Sequence, residues 1–319
     1  MFPQAGCPGD ELDRCKFATN DRATPRINGT VVATPGYFAV TLDTNVKAEM
    51  TVSNHTAIYR FTFPETPAEE DAPLSPLILA DLIDLPLSRI NGSVSVNNDT
   101  GRIIGNGTFS PSFGIGTYDL HFCADFSGAK IRDTGVFINN RAGSEPKNLS
   151  VVADGVDTSP DILPAGAWTR FYPPDQNNSI LARVGVSFIS VDQACSNAEK
   201  EIATFDFEAV HAVARQAWVD QLSVVSVVPG GAGADLQTVF WSGIYRASIS
   251  PQDYTGENPL WTSSEPYYDS YYCIWDSFRY VGCKSVFICV HTCLTQSLGV
   301  STHSYQSLMR SLRYVCCAV

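Results

Sequence analysis

Basic residues are scarce in this chain of 319 residues: 21 Lys and Arg stand against 33 Asp and Glu, for a formal net charge of −12. With no basic run, the chain lacks the electrostatic footprint that nucleic acid or an anionic membrane surface requires, so neither is expected as a partner. It also lacks any uncharged apolar run long enough to cross a bilayer. The opening Met1-Phe2-Pro3-Gln4 has neither the basic nor the apolar region of an export signal. Missing too is a complete zinc-ligand pattern: Cys289 and Cys293, with His291 between them, have no second pair at suitable spacing, so no Cys/His metal is assigned. What the chain does have, 44% hydrophobic and 17% charged residues, describes an ordinary globular protein long enough for two domains. A neutral, hydroxyl-rich ligand such as a sugar suits this composition.

Seven Asn-x-Ser/Thr sequons occur at Asn28, Asn54, Asn91, Asn98, Asn106, Asn148 and Asn177, all before residue 180. Such acceptors have meaning only in a secretory lumen, so they read as the surface of an exported, extracellular domain, although no signal peptide is present in the chain as written. Of the ten cysteines, Cys7 and Cys15 bracket a short Pro/Gly/Asp-rich loop that a disulfide could close. Cys123 and Cys195 stand isolated, Cys273 lies in an aromatic run, and the remaining five crowd residues 283–319.

From residue 31 to about 190 the pattern is strand, turn, strand. Residues 37–42, 46–52 and 57–63 show the alternation of half-buried antiparallel strands, the last stopped by Pro64. Short runs at 77–82, 93–96, 102–104, 117–122, 135–138, 168–172 and 183–190, separated by Asn-Gly, Asp-Thr-Gly and Pro-containing turns, continue the rhythm of a β-sandwich. The acidic, Pro-rich stretch 64–76 reads as a solvent loop. At Ser196 the period changes to three- and four-residue steps (Ala198, Ile202, Phe207, Val210, Ala214, Trp218, Leu222), predicting one or two amphipathic helices and a domain junction. After the Pro229-Gly230-Gly231 break, helical spacing resumes over 235–248 and ends before Pro251. From Glu257 to Arg279 the chain is rich in Tyr and Trp. Aromatic faces stack on the apolar faces of sugars and neighbouring carboxylates accept their hydroxyls, so this stretch reads as the lip of a sugar cleft. Equally, Tyr267, Tyr268, Tyr271 and Tyr272 could pack the first turn of a helical core.

Three stretches carry a family resemblance: 106–114 through 121–126, Phe240-Trp241-Ser242-Gly243-Ile244-Tyr245-Arg246, and above all Tyr268-Asp269-Ser270-Tyr271-Tyr272-Cys273-Ile274-Trp275-Asp276-Ser277-Phe278-Arg279. With the run Ser250 to Trp261 they resemble fungal members of glycoside hydrolase family 92, from about Cys7 to Tyr280. The resemblance implies a mainly β then α fold: an N-terminal β-sandwich over 1–190, a helical linker over 191–225 and the start of an (α/α)6 barrel over 226–280. It implies an exo-acting α-mannosidase that removes terminal α-1,2-linked mannose from N-glycans or mannans by a calcium-dependent inverting mechanism. In that chemistry one carboxylic acid protonates the leaving oxygen and a carboxylate activates water on the opposite face. By the same analogy Trp275 forms an apolar wall of the terminal mannose subsite and Asp276 accepts a hydroxyl; without the analogy, Asp276 reads as a helix cap.

The departures from the family matter as much. The family's sandwich begins upstream of the position of Met1, and its general acid Glu, base Asp and calcium ligands lie in later helices of the barrel. The expectation is therefore a member truncated at both ends, with no catalytic carboxylates and no calcium ligands of its own, holding mannose-containing glycans without hydrolysing them. After Tyr280 the family continues with a His-Pro-Leu-Leu-like segment, whereas Val281-Gly282-Cys283 opens a Cys-rich tail. Val281 can encode a GT donor, Leu294-Thr295 a branch point and Val300-Ser301 a terminal AG, so residues 281–319 read as a retained intron followed by a frameshift. The rival expectation is a non-catalytic carbohydrate-binding β-sandwich, which two exposed aromatics in register on one strand face would favour.

Overall fold

A computed structural model describes residues 1–67, 72–82, 88–111, 115–152, 163–174, 177–228, 230–231, 233–249 and 251–270. The chain divides into two compact units, Met1–Ala217 and Trp218–Val319. In the first, the elements run β1 (Phe2–Gln4), α1 (Thr19–Arg22), β2 (Val32–Thr34), β3 (Tyr37–Thr41), β4 (Lys47–Val52), β5 (Thr56–Thr62), β6 (Leu77–Asp81), β7 (Arg89–Val96), β8 (Ile103–Phe109), β9 (Tyr118–Ser127), β10 (Ile131–Ile138), β11 (Arg141–Gly143), β12 (Asn148–Val152), β13 (Ala165–Phe171), β14 (Ser179–Ser187) and α2 (Val191–Glu201). Helix α3 (Phe207–Leu222) follows, and the second unit adds α4 (Ala234–Ala247), β15 (Gln252–Asp253) and β16 (Tyr268–Asp269). The expected class, a β-sandwich followed by helices, is what the chain forms.

The strands assemble into a five-stranded sheet, β1-β6-β13-β10-β11, and a nine-stranded sheet, β12-β7-β8-β9-β14-β5-β4-β3-β2. All described pairings are antiparallel, so period-two alternation sends one set of side chains between the sheets. Ala48, Phe61, Ile180 and Ala182 from the nine-stranded sheet, with Val46 just before β4, meet Ile78 and Phe171 from the five-stranded one. Farther along, Val94, Val96, Ile103 and Ala124 meet Ala80, Val136 and Ala167. Each fully buried Ile or Phe contributes about 1.5–3 kcal/mol relative to exposure.

Both sheets are also covered on their outer faces. On the five-stranded sheet, Leu77, Leu79, Phe137 and Trp168 pack against Cys7, Cys15 and Phe17 of the N-terminal segment. The Cys7–Cys15 disulfide closes that segment, as its spacing suggested. Strand β13 is consequently buried at every position. On the nine-stranded sheet, Ile58 packs with Ile202 and Phe207 from the helices.

Helix α2 begins at Val191, five residues before the expected change of period, because the Ser190 hydroxyl caps it by accepting from Gln193 N–H. It lies so close to β14 that a Cβ on Gly185 would stand 2.2 Å from Ala194 O. The two cysteines expected to stand isolated, Cys123 on β9 and Cys195 on α2, are joined in a disulfide. Sequence spacing concealed that pair because 72 residues separate them. The stretch 64–76 is not wholly a solvent loop. Ser75 is buried, its hydroxyl donating to Phe171 O, and Leu74 packs on the core. Strands β1, β2, β11 and β12 fall outside the expected runs; three of them are only three residues long and β12 forms a sheet edge.

Candidate functional site

The aromatic stretch expected to form a sugar-cleft lip lies in the second unit and is described as far as Ser270. Strands β15 and β16 pair with Gln252 opposite Asp269 and Asp253 opposite Tyr268. Between them the chain is turned by its own polar side chains: Asp253 Oδ1 accepts from Thr255 N–H and Oγ–H at 2.9 and 2.6 Å, and Asn258 Oδ1 from Leu260 N–H at 2.8 Å. Tyr254 N–H donates to Tyr267 O and Tyr267 N–H to Thr255 Oγ1, so the loop closes on itself. Glu257, 4% exposed, is buried in this loop.

At its surface, Trp261 meets Tyr267 edge to face with ring centroids 5.6 Å apart, and Trp261 is 52% exposed. The Tyr267 hydroxyl donates to Asp269 Oδ2 at 2.9 Å, while Asp269 Oδ1 accepts from Ser270 N–H. The hydrogen bond to Asp269, with some burial, pushes the Tyr267 phenol up and keeps it a neutral donor. An exposed indole beside a phenol and a carboxylate can stack on a pyranose and bond its hydroxyls. Tyr268 lies in a strand, so the reading in which these tyrosines open a helix does not hold for it. Tyr271, Tyr272, Trp275, Asp276 and the tail 281–319 lie outside the described residues.

Helix α4 precedes this hairpin. It has no buried residue and exposes Leu236, Val239 and Phe240. Its expected helical spacing over 235–248 is therefore formed, with an apolar stripe left exposed.

The sandwich holds a second polar cluster that sequence reasoning missed. Glu49 on β4 faces Arg60 on β5 across the ladder. Its two carboxylate oxygens accept from Arg60 Nη2 and Nε, both at 2.8 Å, and from the Tyr37 hydroxyl at 2.7 Å. Arg60 Nη1 donates to Glu208 on α3 at 2.7 Å, and the guanidinium lies 4.3 Å from the Phe207 ring centroid. Tyr37 stacks on His211 at 4.7 Å. Burial pushes the Glu49 carboxyl up, but the bonds from Arg60, Tyr37 and Lys47 outweigh it and hold the group at about 2. Burial and the Glu49 partner push the Tyr37 phenol up to about 12. The signal available in sequence was a Glu and an Arg equidistant from the turn at residues 53–56, a cross-strand pair. An open cleft of about 840 Å³ adjoins this cluster, lined by Arg60, Asn177, Ser179, Leu181, Phe205 and Glu208. Of its charged groups, Arg60 and Glu208 are paired with each other and Asp206 accepts from Ala209 N–H at the start of α3, so the cluster reads as a clamp between sheet and helix.

A third network ties α2 to the sheet. Asp125 accepts from Arg102 Nε and Arg183 Nη2, each at 2.6 Å; Arg102 reaches Glu199, and Arg183 reaches Ile202 O. Among the described residues no group of three or more His, Cys, Asp or Glu could hold a metal ion.

Known proteins share this fold. The model of the glycosyl hydrolase family 92 N-terminal domain matches residues 1–187, and that of the family 92 catalytic domain matches residues 193–283. A protein of Arthroderma benhamiae named an uncharacterized secreted glycosidase is 49% identical over 285 residues, covering 88% of this chain and 36% of that protein. Among solved structures, a family GH92 inverting mannosidase from Bacteroides thetaiotaomicron superposes with a TM-score of 0.67 at 19% identity, over 87% of this chain and 34% of that one. A GH92 alpha-mannosidase from the same organism, solved with mannoimidazole, has a TM-score of 0.63 at 19% identity, over 87% of this chain and 35% of that one. At such identities the structures show the shared fold, and the chain spans about a third of the length of each of these relatives. A family model matching more than half of the sequence, together with a sandwich and helices in the order that both models require, establishes that this chain belongs to glycosyl hydrolase family 92.

Proposed function

We propose that this chain supplies the β-sandwich and the first helical elements of a secreted exo-α-mannosidase, and that by itself it holds mannose-containing glycans without cleaving them. The observation that carries the reading is the family match running through both domains, with mannosidases among the structural relatives. The secretory setting is supported by a relative named as secreted, by two disulfides and by the sequons. The substrate of the whole enzyme is the terminal α-1,2-linked mannose of N-glycans or mannans, cleaved with inversion and with calcium helping to bind and distort the sugar.

Inverting hydrolysis needs one carboxyl group kept protonated to donate to the leaving oxygen and one carboxylate kept free to activate water. Asp10, Glu49 and Glu201 are tuned the other way. The hydrogen bond from Arg132 lowers Asp10; at Glu49 and Glu201 burial raises the carboxyl, and bonds from Arg60 and His55 respectively pull it below its ordinary value. All three are held as carboxylates by structural partners, Arg132, Arg60 and His55, and are poorly suited to donate a proton. What the chain offers a sugar is the hairpin surface of Trp261, Tyr267 and Asp269, continued in our reading by Trp275 as an apolar wall and Asp276 as a hydroxyl acceptor.

Among the described residues, the exposed aromatic side chains of the sandwich do not favour the rival reading. Phe38 lies in the nine-stranded sheet, whereas Tyr172 follows β13 of the five-stranded one, so these two cannot form a platform on one strand face.

The test is incubation of the purified chain with an α-1,2-linked mannose disaccharide, with and without added calcium, alongside binding to immobilised mannan. No mannose release is expected, with saturable binding that weakens at least tenfold in W275A and D276A. Released mannose would show a functional acid and base in the chain. Binding undiminished in both variants and retained by residues 1–225 would move the glycan site to the sandwich.

A further inference from the structure

We propose that N-linked glycans on Asn28 and Asn148 guard the two edges of the nine-stranded sheet against pairing with another chain. Among the described residues, β12 and β2 are the terminal strands of that sheet, and each presents a row of backbone groups with no strand beyond it. Natural sheets blunt such edges with charged side chains, proline or a covering element. Neither strand uses the first two devices. Strand β12 is Asn148-Leu149-Ser150-Val151-Val152, with Val152 68% exposed, and β2 is Val32-Ala33-Thr34, exposed at all three positions.

Each edge instead carries a sequon. Asn148-Leu149-Ser150 opens β12, and Asn148 and Ser150 are exposed on the side chain face that Val152 shares. Asn28-Gly29-Thr30 sits where the opposite edge bulges outward. Before it, Ile27 N–H still donates to Thr41 O on β3; after it, Val32 resumes pairing opposite Ala39. Gly29 turns the chain there with φ of 80°, and Asn28 is exposed. Asn106 shows the contrast. It lies on β8 between β7 and β9, is half-buried, and its Oδ1 accepts from the Ser93 hydroxyl at 2.5 Å. Asn54 and Asn98 lie at strand-connecting turns rather than along an edge.

The modification requires an oligosaccharide-diphospholipid as donor, and so rests on the secretory setting proposed above. The carboxamide Nδ2 forms a bond to the anomeric carbon of the donor's first sugar while the bond from that carbon to the diphosphate oxygen breaks. The electron pair leaves with the lipid diphosphate, and the amide gives up one proton. A bulky, hydrated oligosaccharide beside an edge strand then denies a second strand the approach needed for a hydrogen-bonded ladder, about 4.8 Å between strands.

The experiment is secretion of the full chain from a eukaryotic host behind a cleavable signal, with peptide mapping of occupied asparagines by their conversion to aspartate on enzymatic release of the glycan. Glycans at Asn28 and Asn148 are expected. Glycans at other sequons but not at these two would overturn the proposal alone; no glycan anywhere would overturn the secretory setting with it. The purified, folded protein is then trimmed with an endoglycosidase and followed by light scattering. A concentration-dependent shift to dimers or larger species is expected, absent in N54Q carrying its remaining glycans. S150A, which removes the β12 acceptor, should shift the same way, S150T should not, and V152K should return trimmed protein toward the untrimmed mass. Trimmed protein that keeps the mass distribution of the untrimmed form would refute the guarding role.

Discussion

Glu49 keeps its charge at 4% exposure because three side chains donate to it, and one of these, Arg60, also reaches Glu208 and Phe207 on α3. Removing one partner of such a pair leaves the other buried without compensation, so E49Q should lower the unfolding free energy of the sandwich by roughly 3 kcal/mol at neutral pH. The pH dependence has a definite sign. The folded carboxyl is depressed to about 2 from an ordinary 4.5, so its contribution is present above about 4.5 and is lost as pH falls through about 2. Urea midpoints of wild type and E49Q measured at neutral pH and near pH 3 (about one unit above the folded value) should therefore converge on acidification; a gap that stays constant would mean that Glu49 acts by packing alone. At this scale the sequence was only partly legible. Glu49 and Arg60 are visible as opposite charges flanking a turn, but Tyr37 joins them through the pairing of β3 with β4, and Glu208 and His211 only because α3 folds back over the sheet. Asp125 was legible only as part of a family motif, since its partners are distant in sequence, Arg102 just before β8 and Arg183 on β14.

Helix α2 shows how an element is placed. Its docking onto β14 depends on the absent side chain of Gly185, on the Cys123–Cys195 disulfide and on the Asp125 network. A Cβ at 185 would meet Ala198 N and Cβ at 2.8 Å as well as Ala194 O, all backbone or short side chain with little room to yield. Gly185→Ala should therefore cost about 1–3 kcal/mol as overpacking. Replacing both Cys123 and Cys195 by Ser should cost about 4 kcal/mol, from the chain entropy of the long loop that the disulfide closes. Chemical denaturation checks both, and a double-Ser variant as stable as wild type would show that hydrogen bonds and packing hold α2 unaided. Most strands were legible from alternation, since a half-buried antiparallel sheet writes its period into the sequence. Strand β2 was not, because three exposed positions impose no alternation of apolar residues; β12 does alternate, with Leu149 and Val151 turned to the core, but over only five residues.

For the whole molecule, the family match ends at residue 283, close to where the sequence departs from the family pattern at Val281. If residues 281–319 derive from a retained intron, transcripts sequenced across codons 270 to 320 should include a species lacking codons 281 to 300 and two further nucleotides. That species would restore a His-Pro-Leu-Leu-like continuation and open the frame to the rest of a mannosidase; transcripts that all retain the segment would remove the idea. The sequence by itself determined the fold class, the family and the aromatic enrichment of residues 257–279, because periodicity, contiguous motifs and composition are local and survive in one dimension. Tertiary structure alone decided that Cys123 meets Cys195, that Glu49 clamps a helix to the sheet, and that two of seven sequons stand on sheet edges. Each of these rests on residues brought together from distant segments or on the order of strands in a sheet, and neither pairing partner nor strand order is written in any local pattern of residues.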